Sequence, residues 1–349
     1  MNLPLLTASR LKTARACLRM HKLRYLDGYK SAKESHNTRF GSLMHLGLEH
    51  WWIGKRQGPE TLGPALDAIA SAKDADPYDV VKAEVMMIGY DARWSDDDYD
   101  VLAVEAEFSG PLVNPITGSE SKIWQRGGKI DAIVRERSTG RVLVVEHKTS
   151  SEDIRQGSEY WRRLRMDGQV TAYFEGARFL GYDVAGCLYD VLAKPGAKPA
   201  RATPPEARKY TLPSKKEPVP RLYAGQRSAD ETPQEYRARL VQIVNDDPAG
   251  FFQRGEVARL ESEMHEGLLD DWHFAQGLRD SIRLGRFPRN PGACIQYGST
   301  CQFFPACTGE ASIDDTTRFT RSDNVHPELA LAELVRAAPD ERENKEQTA

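Results

Sequence analysis

The spacing of hydrophobic and polar positions divides the chain into helical and extended stretches. Apolar residues recur with a helical period in four N-terminal stretches, 9–26, 39–55, 62–72 and 78–94. The pattern then changes to alternation or to short Val-rich runs in three stretches that we predict as strands, 99–108, 123–137 and 141–148. A helical pattern over 159–180 and a strand pattern over 182–192 follow. The order of these elements predicts an α/β protein.

The second half of the chain has a different character. Residues 194–232 are rich in Pro, Lys and Arg, which predicts a surface insertion, and helical periodicity resumes, with breaks, from 233 to about 284. We therefore expect one structural unit with five parts: an N-terminal helical region (1–95), a strand-rich core (96–193), the surface insertion (194–232), a C-terminal helical segment (233–310) and a polar tail (311–349).

Composition narrows the class of protein. The 349 residues include 48 Lys and Arg against 51 Asp and Glu, a formal net charge of −3, so the chain is neither a basic nucleic-acid coat nor an acidic tail. Hydrophobic residues make up 40%, which is enough for a sizeable core. No apolar run approaches the ~20 residues that cross a bilayer. We expect a cytosolic protein of a prokaryotic-type cell.

The strand at 141–148 carries the sharpest chemical signal. Because side chains alternate along a strand, Glu146 and Lys148 lie on one face and His147 on the other. Asp131 lies in the preceding strand, so the two acids can meet across the hairpin. Paired carboxylates suit a hard divalent cation, Mg²⁺ or Mn²⁺, which polarises a phosphodiester and acidifies a bound water. The lysine would then position that water or stabilise developing charge.

Two helical pairs extend this constellation. Gly41 and His45 are four residues apart on one helical face, where an imidazole could reach a metal, although a lone helical histidine is more often structural. Gln169 and Tyr173 form a similar pair on the helix after the Glu146 strand, where an ordinary amphipathic surface is the alternative interpretation. Taken singly, each pair is a weak signal.

In order and spacing, these four motifs resemble those of RecB-type nucleases in the PD-(D/E)XK superfamily. The resemblance implies a restriction-endonuclease-like core, with a central mixed sheet flanked by helices. It also implies that His45, Asp131, Glu146 and the His147 carbonyl hold the metal, that Lys148 serves the water, and that Gln169 and Tyr173 contact DNA or brace the site. Glu105 and Glu107 lie on the first strand, where some relatives place a further acid.

The cysteines indicate a second centre. Four of the five, Cys17, Cys294, Cys301 and Cys307, could supply thiolates to zinc or to an iron–sulfur cluster. One N-terminal cysteine with three C-terminal ones resembles the iron–sulfur nucleases, which include CRISPR-adaptation nucleases and AddB-type domains. That resemblance implies a structural 4Fe–4S cluster joining the two ends of the chain. Its final x5 spacing matches the relatives, whereas the x6 spacing departs from their x2. Cys187 is interpreted as a core residue.

The resemblance implies DNA hydrolysis, as an exonuclease in recombination, repair or replication. Two alternatives stay open: a CRISPR-adaptation-like trimming nuclease that acts in a complex, and a DNA-binding scaffold whose nuclease site has decayed. A recombination or adaptation protein is the expected type of partner, and the oligomeric state is not specified. Three groups of basic or aromatic residues are candidates for the DNA surface: Arg19, Lys22 and Arg24; Arg162, Arg163 and Arg165; and 251–254.

Overall fold

The computed structural model describes residues 3–33, 36–213, 219–296 and 299–329. The helices are α1 (Ala8–Ala16), α2 (Leu18–His21), α3 (His36–Gln57), α4 (Leu62–Ala70), α5 (Pro77–Trp94), α6 (Glu159–Leu164), α7 (Gly168–Phe179), α8 (Pro233–Asp246), α9 (Pro248–Phe251), α10 (Glu261–Arg283) and α11 (Phe304–Thr308). The strands are β1 (Leu5–Leu6), β2 (Tyr29–Ser31), β3 (Tyr99–Val113), β4 (Glu120–Glu136), β5 (Val142–Ser150), β6 (Gly186–Ala193), β7 (Phe252–Val257), β8 (Ile295–Gln296), β9 (Ser299–Thr300) and β10 (Phe319–Arg321).

A mixed sheet forms the centre of the fold, and β4 is its longest strand. One edge of β4 pairs antiparallel with β3. The other edge pairs in parallel with β1 near Gln125 and antiparallel with β5 from Ala132 onward, so β1 and β5 share that edge. The sheet continues with β6 parallel to β5 and β7 antiparallel to β6. The strand order is β3-β4-β5-β6-β7, and β1 pairs with the same edge of β4 as β5 does. This mixed sheet confirms the predicted α/β class.

Helices cover both faces of this sheet. Residues of α3, α4, α5 and α8 pack against one face in a cluster that includes Val145, and residues of α6, α7 and α10 pack against the other face in a cluster that includes Val144. Adjacent residues of β5 thus serve opposite cores, as strand alternation requires. The buried tryptophans Trp51 and Trp52 of α3 fill the first core. The helices hold β5 from both sides and fix the direction of its polar side chains.

Three helical predictions were partly wrong. The stretch 9–26 is broken at Cys17, whose extended backbone (φ −163°) separates α1 from α2, and a π-helical turn, Lys22–Leu26, follows. Thr7 caps α1, because its Oγ1 accepts a hydrogen bond from the Arg10 amide at 3.1 Å. The helix at 159–180 is two helices, the second capped by Asp167.

The third departure adds a strand to the sheet. Helical periodicity predicted helix through most of 233–284, but Phe252–Val257 forms β7 on the edge of β6. Phe252 is fully buried there. Near the C-terminal end, β10 pairs antiparallel with β2, and residues 330–349 of the predicted polar tail lie outside the described residues. Within the ranges that the structure describes, no helix has the length and apolarity to span a membrane.

Candidate active site

Asp131 and Glu146 lie where β4 and β5 separate. The antiparallel pairing of these strands ends with Ala132 opposite Val145. Beyond that pair, the His147 amide has a side-chain partner instead of a main-chain carbonyl on β4. It donates a hydrogen bond to Asp131 Oδ2 at 2.8 Å. Both acids are buried, with exposed fractions of 9% and 3%. The structure therefore brings the two carboxylates together at a strand end.

The two carboxylates have too little positive charge around them for both to ionise. Burial, reinforced by the neighbouring Glu146 carboxylate, raises the pKa of Asp131 to about 8. Glu146 Oε1 forms an ion pair with Lys148, whereas Glu146 Oε2 is buried and has no hydrogen-bond partner among the described residues. A buried carboxylate oxygen without a partner carries a desolvation penalty that a cation would offset. This pair of acids needs further positive charge in order to ionise fully.

Lys148 belongs to a chain of polar contacts. Its Nζ pairs with Glu146 and donates to Gln169 Oε1 at 2.8 Å, and Gln169 Nε2 donates to the Tyr173 hydroxyl at 2.6 Å. Burial opposes the charged ammonium, but the Glu146 carboxylate outweighs it and raises the pKa of Lys148 above its usual value. Gln169 and Tyr173 thus hold the ammonium group from the α7 side. The sequence motifs of β5 and α7 meet directly.

A cavity of about 400 Å³ opens over Asp131, Glu146, Gln169 and Tyr173. The N-terminal end of α1 lines it, and so do Gly41 and His45 of α3. Burial, together with the nearby His147, lowers the pKa of His45 to about 3, so its imidazole is neutral and can serve as a ligand. At Gly41 a Cβ would lie 3.6 Å from Thr149 Oγ1, an ordinary contact. Glycine is therefore not sterically required at this position.

Three further ionisable residues line the same cavity. Glu49 lies one helical turn after His45, and Glu105 of β3 forms an ion pair with Lys129 of β4. Burial, with the nearby Glu105, raises the pKa of Glu49 to about 7. Glu105 has a left-handed backbone (φ 49°), which is uncommon for a non-glycine residue in a strand. Sequence reasoning missed Glu49 and Lys129, although the i,i+4 spacing from His45 and the period-two spacing from Asp131 could have indicated them.

A second network of charged residues lies on the face of β5 opposite the cavity. We call this face the rear face and the network the rear network. His147 points away from the cavity, and its Nδ1 is 3.2 Å from Asp190 Oδ2. Arg254 lies beside Asp190 (Nε to Oδ1, 3.2 Å) and pairs with Asp97 at 2.5 Å. Its Nη2 also donates to the Tyr90 hydroxyl at 2.9 Å. Burial opposes the ionised form of Asp190, but Arg254 and His147 outweigh it and hold the pKa of Asp190 at about 2.

This network corrects one expectation and adds two residues. Phe252 and Arg254 were candidates for DNA contact, but Phe252 is fully buried and the Arg254 side chain is 6% exposed, so they do not form a DNA surface. Their role is to support the Glu146 strand from behind. Sequence reasoning also missed Asp190, whose position within the apolar run of β6 was the available signal, because a buried acid needs partners.

The donor set of the cavity fits a divalent cation. Asp131 and Glu146 offer carboxylate oxygens, one of them without a partner, and His45 offers a neutral imidazole. In the described ranges, no group of three or more His, Cys, Asp or Glu residues is already arranged around a position for a metal ion. One oxygen of each acid already has a protein partner: Asp131 Oδ2 accepts from the His147 amide, and Glu146 Oε1 pairs with Lys148.

The four cysteines predicted to act together surround one small cavity. Its volume is about 20 Å³, and its lining includes Cys17, Cys294, Cys301 and Cys307. Cys17 lies at the break between α1 and α2, and the other three lie around β8, β9 and α11. All four are free thiols, and Cys301 Sγ is 3.9 Å from Met20 Sδ. Cys187 is fully buried in the core, as expected.

A groove of about 760 Å³ adjoins the catalytic cavity. The two share Ala8, Ser9 and Gln169, and Lys148 also lines the groove. Basic side chains on its walls come from α1 and α6: Lys12, Arg15 and Arg163. Three acids line the groove as well: Glu152, Asp167 and Asp271. Arg15 pairs with Asp271 and Arg163 pairs with Glu152, so much of its positive charge is neutralised.

Fold and site together define a class: α/β proteins in which two acids and a lysine meet at the parting of two strands. The sequence profile described as the PD-(D/E)XK nuclease superfamily matches residues 5–308, and the chain belongs to this superfamily. Membership indicates a metal-dependent phosphodiester hydrolase with DNA as its substrate, and such nucleases typically use Mg²⁺ or Mn²⁺. The central mixed sheet flanked by helices agrees with the predicted fold.

Two other comparisons add little. Among curated proteins there is no match. A solved structure titled "Crystal structure of SSO0001" is 12% identical, and the alignment covers 75% of this chain and 93% of that chain with a TM-score of 0.27. A likeness of this size does not bear on function.

Proposed function

We propose that the protein is a divalent-metal-dependent deoxyribonuclease that degrades DNA from its ends, in recombination, repair or replication, in the cytoplasm. One observation carries the nuclease part: Asp131 and Glu146 line one cavity at the separation of β4 and β5, and Lys148, which lines the adjoining groove, pairs with Glu146. The exonuclease part depends on the resemblance to RecB-type nucleases, because one fold and one site can serve either mode of cleavage. We also propose that residues 96–193 are the nuclease core of a single structural unit.

Asp131, Glu146, His45 and the His147 carbonyl would hold the cation. When bound, it would supply Lewis-acid polarisation of the phosphate and a more acidic water. Lys148 acts as a fixed positive charge, because its raised pKa keeps it protonated and unsuited to act as a base. Gln169 holds that ammonium in place, and Tyr173 holds Gln169. Each role is an assignment that substitution can test.

The test compares end-labelled linear DNA with a covalently closed circle, incubated with Mg²⁺, with Mn²⁺ or without added metal. We expect wild type to degrade only the linear DNA and only with metal. Asp131→Ala should reduce the rate at least about a hundredfold, a loss of about 2.7 kcal/mol of transition-state stabilisation. Asp153→Ala, at a side chain that is 60% exposed, is the matched control and should be fully active.

The outcomes separate the alternatives. Cleavage of the circle would contradict the exonuclease assignment and establish an endonuclease. Loss of linear DNA that Asp131→Ala does not change would place the activity elsewhere, such as in a contaminant. Absence of metal-dependent cleavage would contradict the proposal for the isolated chain and favour the decayed scaffold, unless a partner protein restores cleavage, as a trimming nuclease in a complex requires.

We propose further that the four cysteines bind a structural 4Fe–4S cluster. Support comes from their arrangement around one cavity, although they are separated by up to 290 positions in sequence. A four-iron cluster is larger than a single ion, so its thiolates lie farther apart than ligands of one metal. Such a cluster would connect Cys17 at the start of α2 to the C-terminal segment.

Anaerobic purification tests the cluster. We expect brown protein with iron and acid-labile sulfide, and loss of visible absorbance in Cys301→Ser. Cys187→Ser is the matched control: Cys187 lies in the sheet core and does not line the cysteine cavity, so colour should remain. Colourless wild-type protein containing zinc would contradict the cluster and favour the zinc alternative.

A further inference from the structure

A basic pocket lies next to the cysteine cavity. Its volume is about 420 Å³, and three arginines line it: Arg19 of α2, and Arg286 and Arg289 in the segment after α10. Between them the lining includes the apolar residues Leu23, Phe287 and Ile313. Cys307 belongs to both cavities. The pocket therefore combines three guanidinium groups with an apolar floor.

The charge of this pocket is not neutralised internally. Across the described part of the chain, no Asp or Glu lines the pocket, and none of its three arginines forms an ion pair. Arg15 on the same N-terminal stretch behaves differently, since it pairs with Asp271 at 2.7 Å. Three guanidinium groups that face one concavity repel one another, and an anion between them would remove that repulsion.

Two of the guanidinium groups are held in position by the main chain. Arg19 Nε donates to the Phe287 carbonyl at 3.3 Å, and Arg289 Nη1 donates to the Cys307 carbonyl at 2.9 Å. A guanidinium has five N–H donors, so each retains donors for a ligand. A planar guanidinium held in place presents paired N–H donors whose spacing matches that of two phosphate oxygens. The pocket is thus preorganised for a phosphate rather than for a carbon-rich ligand.

The N-terminal segment of the chain joins this pocket to the catalytic cavity. The first residues of α1 line the catalytic cavity, Lys12 and Arg15 line the adjoining groove, and Arg19 lines the pocket. Thr7 lines the catalytic cavity and Arg19 lines the pocket, so residues 7–19 connect the two sites directly along the chain.

We propose that the arginine pocket, formed by Arg19, Arg286 and Arg289, binds a phosphate of the same nucleic-acid strand that is cut in the catalytic cavity. Its apolar floor accommodates the attached sugar or base. The identity of the strand as substrate rests on the proposed nuclease function, whereas phosphate binding by the pocket does not. The bound group is either an internal phosphodiester or a terminal phosphate, and these share the chemistry that the arginines recognise.

The test measures binding of fluorescent single-stranded DNA to the full-length protein, as purified, with no divalent cation added and at several salt concentrations. Arg286→Ala is the main variant, because the Arg286 side chain is exposed and forms no ion pair with any residue that the structure describes. We expect about a fivefold to tenfold loss of affinity and a salt slope shallower by about 0.7, the value for one lost phosphate contact on single-stranded DNA. Arg283→Ala is the control, since Arg283 is exposed, pairs with Asp280 and lies outside the pocket.

Further arms identify the source of the phosphate. Oligonucleotides with a phosphate or a hydroxyl at either end distinguish a terminal from an internal group: only a terminal site makes the Arg286→Ala effect depend on the end. Arg19→Lys and Arg289→Lys should give partial losses, because lysine keeps the charge but not the fork. Equal affinities and slopes for Arg286→Ala, Arg283→Ala and wild type would overturn the proposal. Because no step in the measurement requires hydrolysis, that failure is distinct from failure of the nuclease assay.

Discussion

The two faces of β5 carry buried charges in opposite electrostatic states. On the cavity face, the pKa of Asp131 is raised to about 8 by burial and by the neighbouring Glu146 carboxylate. On the rear face, Asp190 is equally buried, yet its pKa is about 2 because Arg254 and His147 outweigh the effect of burial. Neighbouring residues of one strand therefore contribute to a pair of acids that lacks positive charge and to a buried acid that has enough of it.

The difference shows what each face does. A buried acid with sufficient cationic partners stabilises the fold around it, whereas acids that lack them retain affinity for a cation from solution. The rear network fixes β5 through His147, and the next residues along the strand then present their side chains to the cavity. Rigidity on one side of the strand thus supports reactivity on the other.

Arg254→Met should have the largest effect on stability of the substitutions that test this difference between the two faces. The substitution leaves Asp190 and Asp97 buried without their main cation, so we expect a loss of about 3–5 kcal/mol in the free energy of unfolding. Denaturant unfolding measures it. Arg162→Met is the control, because the ion pair of Arg162 with Glu159 is exposed and should contribute about 1 kcal/mol or less.

The double variant Arg254→Met with Asp190→Asn sharpens the test. Removing the second charge relieves part of the penalty, so the double variant should be more stable than Arg254→Met alone. If Arg254→Met unfolds at the same denaturant concentration as wild type, the rear network does not stabilise the fold, and the contrast between the two faces fails.

Much of the cavity face could be predicted from local pattern. Period-two alternation places Glu146 and Lys148 together and His147 opposite, and the hairpin brings Asp131 alongside. These relations depend on strand geometry, which the sequence expresses directly. The α/β class could be predicted for the same reason, since each long element has a distinct hydrophobic period.

The rear network could not be predicted in this way. Arg254 lies on β7, a short strand inside a stretch for which we predicted helix with breaks, and its pairing with β6 depends on tertiary packing. Asp97 and Tyr90 reach it from sequence positions more than 150 residues away. The break at Cys17 was missed for a similar reason, because an extended residue between two short helices leaves the apolar spacing almost unchanged.

Asp131→Asn tests the cavity face and should change stability less than Arg254→Met does, in a way that depends on pH. Without added metal, the folded protein holds a proton on Asp131 more tightly than the unfolded chain does, because the pKa of about 8 in the folded state exceeds the ordinary aspartate pKa of 3.8. Wild-type stability should therefore fall as pH rises from about 4 to about 8. The substituted amide does not ionise but can still accept the His147 hydrogen bond, so Asp131→Asn should show a flatter profile.

At pH 8 we expect Asp131→Asn to be more stable than metal-free wild type by about 1–3 kcal/mol, with the difference vanishing near pH 4. Mg²⁺ should narrow the gap by stabilising only wild type, because the ionised acids would bind it. Asp153→Asn, at an exposed acid, should match wild type throughout. A wild-type profile that rises between pH 4 and 8 relative to Asp131→Asn would mean that cationic partners already satisfy the Asp131 carboxylate, and the two faces of β5 would then be alike.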